Sequence, residues 1–209
     1  MNKKYNELVE LGRYLFERQY VSGSSGNLSL RYDDNHILLT PSLSKLGKLD
    51  KENLSLVSID GQHVKGGKPT KEMKFHLEIY RKRNNCNAVI HLHSTYLTAM
   101  SCLADIADKT SVFKAFTPYV VMRVGKVPLI PYFHPGSDEI AESISAVVIN
   151  HSAFLLANHG IIASGNSVDD ACGNFEELEE TAKLYFILKS HNINYLTDEQ
   201  LKKLEKLKI

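Results

Sequence analysis

The sequence is poor in cysteine, has no tryptophan and carries almost no net charge. Its three cysteines, Cys86, Cys102 and Cys172, are far apart and form no Cys-x-x-Cys pair. An odd number of widely spaced cysteines is typical of reduced thiols in a cytoplasmic protein. Lysine and arginine number 25 against 24 aspartate and glutamate residues, giving a net charge of +1. This balance favours neither nucleic acid nor an anionic membrane as a partner.

Long apolar runs, repeats and nucleotide-binding glycine motifs are missing as well. No apolar run approaches the length of a membrane span, and the N-terminus is amphipathic with scattered charges, unlike a signal peptide. No Gly-x-Gly-x-x-Gly or Gly-Lys-Ser/Thr motif indicates a nucleotide cofactor. Because no low-complexity tract or linker divides the chain, residues 1–209 are predicted to form a single domain.

Hydrophobic periodicity predicts an N-terminal helix, then short strands, and then strands that alternate with helices. Leucines at helical spacing mark the first helix, and "NLSLRY", "HILLT" and "LSLVSI" have the character of strands. Thr70 is predicted to cap the next helix, whose buried face would carry Met73, His76, Leu77 and Tyr80.

The second half of the chain continues the alternation of strands and helices. Strands are predicted at "AVIHLH", "VPLIPY", "AFLLANHG" and "IIASG", and helices over about residues 94–103, 138–150 and 168–191. A capping-box pattern at Ser167 and Asp170 opens the last helix. The hairpin-like N-terminal strands argue against a purely parallel sheet. The predicted fold is therefore an α/β three-layer sandwich, with a largely antiparallel or mixed central sheet flanked by helices.

Among the nine histidines, two stand one residue apart in the apolar stretch "AVIHLHSTY". Side chains at positions i and i+2 leave the same face of a strand, so His91 and His93 would point together as half of a metal site. His159 follows another apolar strand and precedes Gly160, which lets the backbone turn closely around a ligand. Three neutral imidazoles leave an open position on zinc or a similar ion, as in catalytic sites. The alternative is that these are ordinary strand and loop histidines.

Glu72, in "KPTKEMKFH", is predicted in the first turn of a helix, where the helix dipole favours a carboxylate. If the fold brings this turn to the histidines, Glu72 becomes a proton shuttle or a fourth ligand. Three loops, "SGSSGN", "TPS" and "TK", offer backbone N–H groups or hydroxyls to an anion, and Lys71 adds charge. Taken singly, each loop is an ordinary turn.

Together these motifs have the order and spacing of a known family. The sequence resembles the class II aldolase/adducin family over about residues 5–190. The motifs are Gly26-Asn27-Leu28-Ser29, Thr40-Pro41-Ser42, Pro69-x-x-Glu72 with His76, His91-Leu92-His93 and Asn158-His159-Gly160. Within the family the likeness is greatest to 3-oxo-tetronate 4-phosphate decarboxylases, through "VIHLHST", "FTPYVVMRVGKVPLIPY", "FLLANHG" and "EELEETAKL".

The resemblance implies one zinc ion per subunit, with manganese as the alternative, bound by His91, His93 and His159. It implies that Glu72 lies at the metal and acts in proton transfer, and that Tyr119 exchanges a proton with the substrate. The phosphate of a four-carbon sugar-acid substrate is placed near Asn27, Thr40, Ser42 and Thr70. A homotetramer with sites near the subunit interfaces is also implied.

Two residues distinguish this chain from the aldolases of the family. Those enzymes continue Thr-Pro-Ser with glycine and carry a small hydroxyl residue before the glutamate, where this chain has Leu43 and Lys71. A 3-oxo acid carries a carboxylate that an aldolase substrate lacks, so Lys71 is predicted to orient that carboxylate or to share the phosphate. The predicted reaction is metal-dependent decarboxylation of a 3-oxo-tetronate 4-phosphate to dihydroxyacetone phosphate and carbon dioxide.

Three alternative functions remain open at this point. A sugar-phosphate aldolase of the fuculose 1-phosphate type would use the same metal and base. Adducin has this fold without the enzyme's chemistry, so a non-catalytic interaction module is an alternative, although all three histidines and the glutamate are retained. A metal-dependent oxygenase built on His-x-His fits less well, because the three histidines with "PTKE" match the aldolase family better.

Overall fold

The computed structural model describes residues 2–207, which form one eight-stranded sheet with helices on both faces. The predicted domain also includes Met1, Lys208 and Ile209, which lie outside the described residues. The strands are β1 (Asn27–Arg31), β2 (His36–Leu39), β3 (Ser55–Ser58), β4 (His63–Lys65), β5 (Ala88–Leu92), β6 (Leu129–Ile130), β7 (Ala153–Leu156) and β8 (Gly160–Gly165). The helices are α1 (Asn2–Glu17), α2 (Met73–Lys82), α3 (Thr95–Ser101), α4 (Asp138–Val147), α5 (Val168–Leu188) and α6 (Asp198–Leu204).

The strands lie in the order β4-β3-β2-β1-β5-β8-β7-β6. Every neighbouring pair is antiparallel except β6 and β7, which run parallel. In the central strand β5, His91 lies opposite Asn27 on one side and opposite Ile162 on the other. The sheet is therefore mixed and largely antiparallel, as predicted.

Apolar side chains on the two faces of the sheet form two separate cores. One face packs against α1, α3 and α5 through residues such as Leu8, Leu97 and Phe175. The other face packs against α2 and α4 through residues such as Phe75 and Ile144. Helices thus cover both faces of the sheet, which confirms the predicted three-layer α/β sandwich.

Alternation along β5 determines which layer its histidine faces. Ile90 and Leu92 belong to the core beneath α1, α3 and α5, and Val89 belongs to the opposite core. Successive side chains of a strand point to opposite faces, so His91 points to the layer of α2 and α4. There its ring packs edge-on against Phe75, with 5.3 Å between ring centroids.

The predicted cap of α2 is wrong. The N-cap residue is Glu72 rather than Thr70. The carbonyl oxygen of Thr70 accepts a hydrogen bond from the backbone N–H of Met73. The side-chain hydroxyl of Thr70 accepts one from the backbone N–H of Glu72. Thr70 therefore forms a turn before the helix. The Glu72 side chain makes no capping hydrogen bond, because its carboxylate turns towards the sheet.

The start of α5 follows the sequence pattern in part. Ser167 caps the helix by accepting a hydrogen bond from the Asp170 N–H. The Asp170 carboxylate accepts from Asn166 rather than from the cap residue itself, so the reciprocal bond of a capping box is replaced. No helix between residues 2 and 207, including this one of 21 residues, is both long and apolar enough to cross a bilayer.

Candidate metal centre

Two neighbouring strands bring the three predicted histidines together. His91 lies near the end of β5, His93 directly follows that strand, and His159 is in the turn between β7 and β8. Their candidate ligand nitrogens all lie within 4.8 Å of one another, and the Nε2 atoms of His91 and His93 are 3.2 Å apart. This spacing suits one divalent ion bound by three imidazoles.

Glu72 supplies a carboxylate to the same cluster. Its Oε2 lies 3.4 Å from Nε2 of His91, and its Oε1 lies 3.4 Å from Nε2 of His159. Within the described residues Oε1 is buried and has no hydrogen-bond partner. A buried, ionised oxygen without a donor is costly unless a cation compensates it. The donor set therefore fits a divalent metal ion.

A hydrogen bond fixes the tautomer of His91. Its Nδ1–H donates to the carbonyl oxygen of Ile161 at 2.9 Å. In the neutral ring the other nitrogen, Nε2, then carries a lone pair, and this nitrogen faces the cluster. A backbone carbonyl that orients a histidine in this way is a common partner of metal-ligating imidazoles.

Burial keeps the other two histidines in the form that binds metals. Burial and the neighbouring His91 lower the pKa of His93 to about 4 and that of His159 to about 4. Both rings are therefore neutral at pH 7, with lone pairs available. Burial alone would raise the pKa of Glu72, but His91, His159 and the Asn27 amide outweigh it and hold that pKa well below its usual range.

Two glycines let other segments approach the end of β5 closely. A Cβ atom on Gly160 would lie 2.4 Å from the carbonyl oxygen of Leu92, so no larger residue fits without displacement. Gly26, with φ +80°, would place a Cβ 2.7 Å from the carbonyl oxygen of His91. The "SGSSGN" loop and the turn carrying His159 thus both lie against the histidine-bearing strand.

The other two predicted anion loops lie side by side. Pro41 and Pro69 form an isolated antiparallel bridge, and the Ser42 N–H donates to the Lys68 carbonyl oxygen at 2.8 Å. The "TPS" loop therefore runs next to the "TK" turn that leads into Glu72. This is the arrangement that a phosphate site formed by these loops requires.

The predicted substrate-binding side chains fall into two groups. Asn27 and Thr40 are 4% and 0% exposed, and both side chains are engaged inside the protein. The Asn27 amide donates to Glu72 at 2.8 Å, and the Thr40 hydroxyl accepts from the Leu28 N–H at 3.1 Å. Residues with more accessible side chains are Ser42, Thr70 and Lys71. Substrate contacts for all five residues stay predictions.

Lys71 is exposed and precedes Glu72 at the start of α2. Beside it lies the loop at Gly136, where a Cβ atom would be 3.3 Å from the Cβ of Lys71. Lys71 is thus a surface residue that is adjacent in sequence to Glu72 of the metal centre and is flanked by a second loop. Its predicted role stays a prediction.

Within one chain, Tyr119 is placed apart from the histidines. It is 58% exposed and precedes a π-helical turn at Val120–Val124. That turn and residues 149–152 line a shared surface depression at the start of β7, whereas His159 follows the end of the same strand. The predicted proton exchange by Tyr119 stays a prediction.

Sequence pattern alone did not identify Glu179, which orders the segment after His93. This buried residue of α5 accepts hydrogen bonds from the Ser94 hydroxyl at 2.7 Å and from the N–H groups of Tyr96 and Leu97 at 3.0 Å each. It therefore caps α3 from another helix. The available signal was an acidic residue within an apolar helical stripe that includes Phe175.

The three-layer fold and the histidine–glutamate cluster together define an α/β protein with a candidate metal-dependent active site. The chain belongs to the Class II Aldolase and Adducin N-terminal domain family, which residues 6–186 match. Family membership confirms the resemblance that the sequence motifs indicated.

Two relatives of the chain carry different names. A 3-oxo-tetronate 4-phosphate decarboxylase of Haemophilus influenzae is 52% identical over 198 residues, covering 95% of this chain and 94% of the relative. An L-fuculose phosphate aldolase of Methanococcus maripaludis is 40% identical over 184 residues, covering 88% of this chain and 97% of the relative. The solved structure of YgbL from Klebsiella pneumoniae is 46% identical, with a TM-score of 0.94 over 97% of this chain and 98% of that one.

Proposed function

We propose that this protein is a carbon–carbon lyase that decarboxylates a 3-oxo-tetronate 4-phosphate to dihydroxyacetone phosphate and carbon dioxide. The observation that carries the proposal is the cluster of His91, His93 and His159 around the unpartnered oxygen of Glu72. Its support from relatives is the 52% identity to an enzyme named for this reaction.

We propose zinc as the bound ion, one per chain, with manganese as the alternative. Three imidazole nitrogens form a donor set that zinc uses in catalytic sites, and a carboxylate oxygen such as that of Glu72 is a further donor that zinc accepts. Bound there, a divalent ion supplies Lewis-acid stabilisation of negative charge on the carbonyl oxygen of the substrate. His91, His93, His159 and Glu72 would hold it.

The reaction breaks the bond between the carboxylate carbon and C2 of the substrate. Carbon dioxide leaves, and the electron pair stays on C2 in conjugation with the C3 carbonyl group. C2 must then receive a proton. We propose that Glu72 relays that proton from solvent, because its Oε1 is buried at the cluster without a hydrogen-bond donor from the described residues. Since its pKa is lowered, Glu72 would hold the proton only during the transfer. Such positioned proton transfer contributes about 100- to 10,000-fold to rates.

The loops beside the metal centre would bind the phosphate group. The "TPS" loop and the "TK" turn are joined by the Pro41–Pro69 bridge, and the Gly26 loop lies against His91. Backbone N–H groups of these turns and the hydroxyls of Ser42 and Thr70 would donate to phosphate oxygens. The substrate would then extend from this anion site towards the histidines.

Lys71 would serve the carboxylate that leaves. It is exposed, and it precedes the glutamate of the cluster. A charge-assisted hydrogen bond contributes about 1.5–3 kcal/mol, so Lys71→Ser should lower kcat/KM on the oxo acid by about 10- to 100-fold. If the lysine binds the phosphate instead, kcat/KM on a sugar 1-phosphate, which has no carboxylate, should fall equally.

We also propose that the chain acts as a homotetramer in the cytoplasm, with Tyr119 completing the site of a neighbouring subunit. Support comes from its 58% exposure and from its position directly before the π-helical turn, whose later residues lie beside the start of β7. From there it would exchange a proton with substrate held by the neighbour.

A sugar-phosphate aldolase is the second candidate, favoured by the 40% identity to an L-fuculose phosphate aldolase. Retro-aldol cleavage leaves the same kind of electron pair beside a carbonyl group by breaking a different bond. A non-catalytic adducin-like module would leave four convergent ligand side chains unexplained.

A product assay in parallel tests the proposal. The purified protein would be supplied with 3-oxo-tetronate 4-phosphate and, separately, with fuculose 1-phosphate, and carbon dioxide and aldehyde would be measured. We expect carbon dioxide from the oxo acid and little aldehyde. Efficient aldehyde release without carbon dioxide would establish the aldolase instead.

A further inference from the structure

A line of polar side chains lies between β1 and α2, beside the apolar residues of that layer. Leu28 and Leu30 belong to the core on the opposite face of the sheet, so the alternate residues Asn27 and Ser29 face α2. Ser29 is 0% exposed and Asn27 is 4% exposed. Buried polar groups at such positions require hydrogen-bond partners.

Those partners come from one face of α2, and together with Asn27 and Ser29 they form a continuous chain of hydrogen bonds. The Tyr80 hydroxyl lies 3.0 Å from the Ser29 hydroxyl, which lies 2.7 Å from Nδ1 of His76. Nε2 of His76 lies 2.5 Å from Oδ1 of Asn27. The Asn27 Nδ2 donates to Oε2 of Glu72 at 2.8 Å. The chain thus ends on the carboxylate of the metal centre.

Donor and acceptor chemistry gives this chain a single direction. A carboxylate only accepts, so Asn27 must present its NH₂ group to Glu72 and its Oδ1 to His76. The amide oxygen only accepts as well, so Nε2 of His76 must carry the hydrogen. Nδ1 of His76 then accepts from the Ser29 hydroxyl, whose oxygen accepts from Tyr80. Every hydrogen in the chain is directed towards Glu72.

We propose that His76 is a positioning residue, which through Asn27 fixes the orientation of the Glu72 carboxylate at the metal centre. The inference rests on the proposed function, since it assigns His76 to the same site. The Asn27 amide occupies Oε2 and leaves Oε1 facing His159. The amide thus holds Oε2 beside His91 and leaves Oε1 beside His159 without a donor among residues 2–207.

A substitution that removes the Nε2–H group of His76 would remove the hydrogen bond that holds the Asn27 oxygen. Without that donor, the Asn27 oxygen is buried with no partner, and only the bond to Glu72 still holds the amide. The amide is then free to shift, and the Glu72 carboxylate that it holds shifts with it. His76 itself does not touch the histidine cluster by any hydrogen bond within the described residues, so its effect would pass through Asn27.

A matched pair of substitutions separates positioning from simple packing. Glutamine can place an amide N–H₂ where Nε2 of histidine lies, whereas asparagine reaches only the Nδ1 position. His76→Gln therefore keeps the donor to Asn27, and His76→Asn removes it, while both leave a neutral polar residue of smaller volume. Thermal unfolding of both variants would show whether they fold alike.

Two readouts are needed for each variant: steady-state kinetics with 3-oxo-tetronate 4-phosphate, and the visible absorption spectrum of protein loaded with cobalt(II). Loss of a group behind a metal ligand typically costs about 10- to 100-fold in activity or metal affinity. For His76→Asn we expect a fall of that size in kcat with KM little changed, and an altered cobalt spectrum. For His76→Gln we expect kcat and spectrum close to those of the unsubstituted protein.

Equal kcat and spectra for His76→Asn and the unsubstituted protein would overturn the inference, as would equal impairment of the two variants. If His76→Asn does not fold, His76→Phe takes its place, because it keeps a ring stacked on Phe75 and removes the Nε2 donor to Asn27. We then expect an altered cobalt spectrum, and an unaltered one overturns the inference. If the unsubstituted protein releases no carbon dioxide, the proposed function fails, and the cobalt spectra still test the positioning role separately.

Discussion

A histidine binds a metal ion only while its ligand nitrogen is free of a proton, and the surroundings of His93 and His159 favour this form. His91 donates its other N–H to Ile161, which leaves Nε2 for the ion. His93 and His159 stay neutral because burial and His91 lower the pKa of each to about 4. The fold therefore prepares the ligands before any ion binds.

Replacement of His93 tests whether this histidine is a ligand of the metal ion. His93→Ala removes one of three nitrogens, and the His93 ring is only partly buried and outside both apolar cores. We expect the metal content, measured by elemental analysis after purification, to fall well below one ion per chain. The melting temperature of the metal-free protein should change little. An undiminished metal content would remove His93 from the site.

The lowered pKa values also make the metal-free protein sensitive to acid. Histidine in the unfolded chain takes up a proton near pH 6.5, whereas His93 and His159 in the folded protein do so only near pH 4. The unfolded state thus binds more protons between these values, and the free energy of unfolding falls as the pH is lowered through them. Urea unfolding with a chelator present should give a lower midpoint at pH 5 than at pH 7.5.

His159→Asn provides the control for that experiment, because it removes one of the titrating groups. Its midpoint should fall less between pH 7.5 and pH 5 than that of the unsubstituted protein. An equal fall in both proteins would mean that this histidine does not contribute to the pH dependence.

Residue type and spacing were enough to predict the histidines and Glu72 as a group, since histidine and glutamate are recognisable in the sequence as residues that bind metal ions. The partners of Asn27 and His76 were not predictable in the same way. They depend on β1 lying next to β5 and beneath α2, which is a property of the tertiary structure. The alternation of polar and apolar residues in "NLSLR" was the available hint.

At the scale of elements, α3 begins directly after His93 and is capped from a distance. Ser94 occupies the N-cap position without a capping bond of its own. Glu179 of α5 instead accepts from Ser94, Tyr96 and Leu97. A negative charge at a helix N-terminus is favourable, and here it also joins α5 to the segment that carries a candidate metal ligand.

Removal of this cap should weaken the whole fold. Glu179→Ala leaves two backbone N–H groups and a hydroxyl without their acceptor, and each unsatisfied buried donor costs about 1–3 kcal/mol. We expect the free energy of unfolding, measured in urea, to fall by about 3 kcal/mol or more. Glu180→Ala is the matched control, since Glu180 is exposed on the same helix; its effect should stay within about 0.5 kcal/mol. Equal effects would contradict the capping role.

Periodicity predicted α1 to α5 and most strands, because the apolar faces of these elements are the ones buried in the two cores. It did not predict α6, which has no buried residue. The start of α2 was predicted wrongly, because Thr70 has the local pattern of a cap but forms the preceding turn. The run "VPLIPY" pairs over only Leu129–Ile130. Such boundaries depend on neighbouring segments, which local sequence does not contain.

At the scale of the whole molecule, the placement of Tyr119 makes the proposed assembly testable. If Tyr119 acts in the site of a neighbouring subunit, a tetramer mixed from His93→Ala and Tyr119→Phe chains contains some sites with neither substitution. Each variant alone should have low activity, and mixing after reversible dissociation should restore part of it. A mixture no more active than the sum of its components would place Tyr119 outside a shared site.

The same fold serves relatives named as decarboxylases and as aldolases. Both reactions leave an electron pair beside a carbonyl group, so one metal centre suits either. The sequence predicted the family and fold because the shared residues define them. The choice of reaction depends on groups such as Lys71, whose contacts with a substrate the sequence does not contain.

The most direct test of the central claim is carbon dioxide release from 3-oxo-tetronate 4-phosphate by metal-free protein titrated with zinc. We expect no release without zinc, and release that rises with added zinc until each chain holds one ion. At the same zinc content, Glu72→Gln should lower the turnover number by about 100-fold or more. Full carbon dioxide release by the metal-free protein would contradict the assignment of this reaction to the histidine–glutamate cluster.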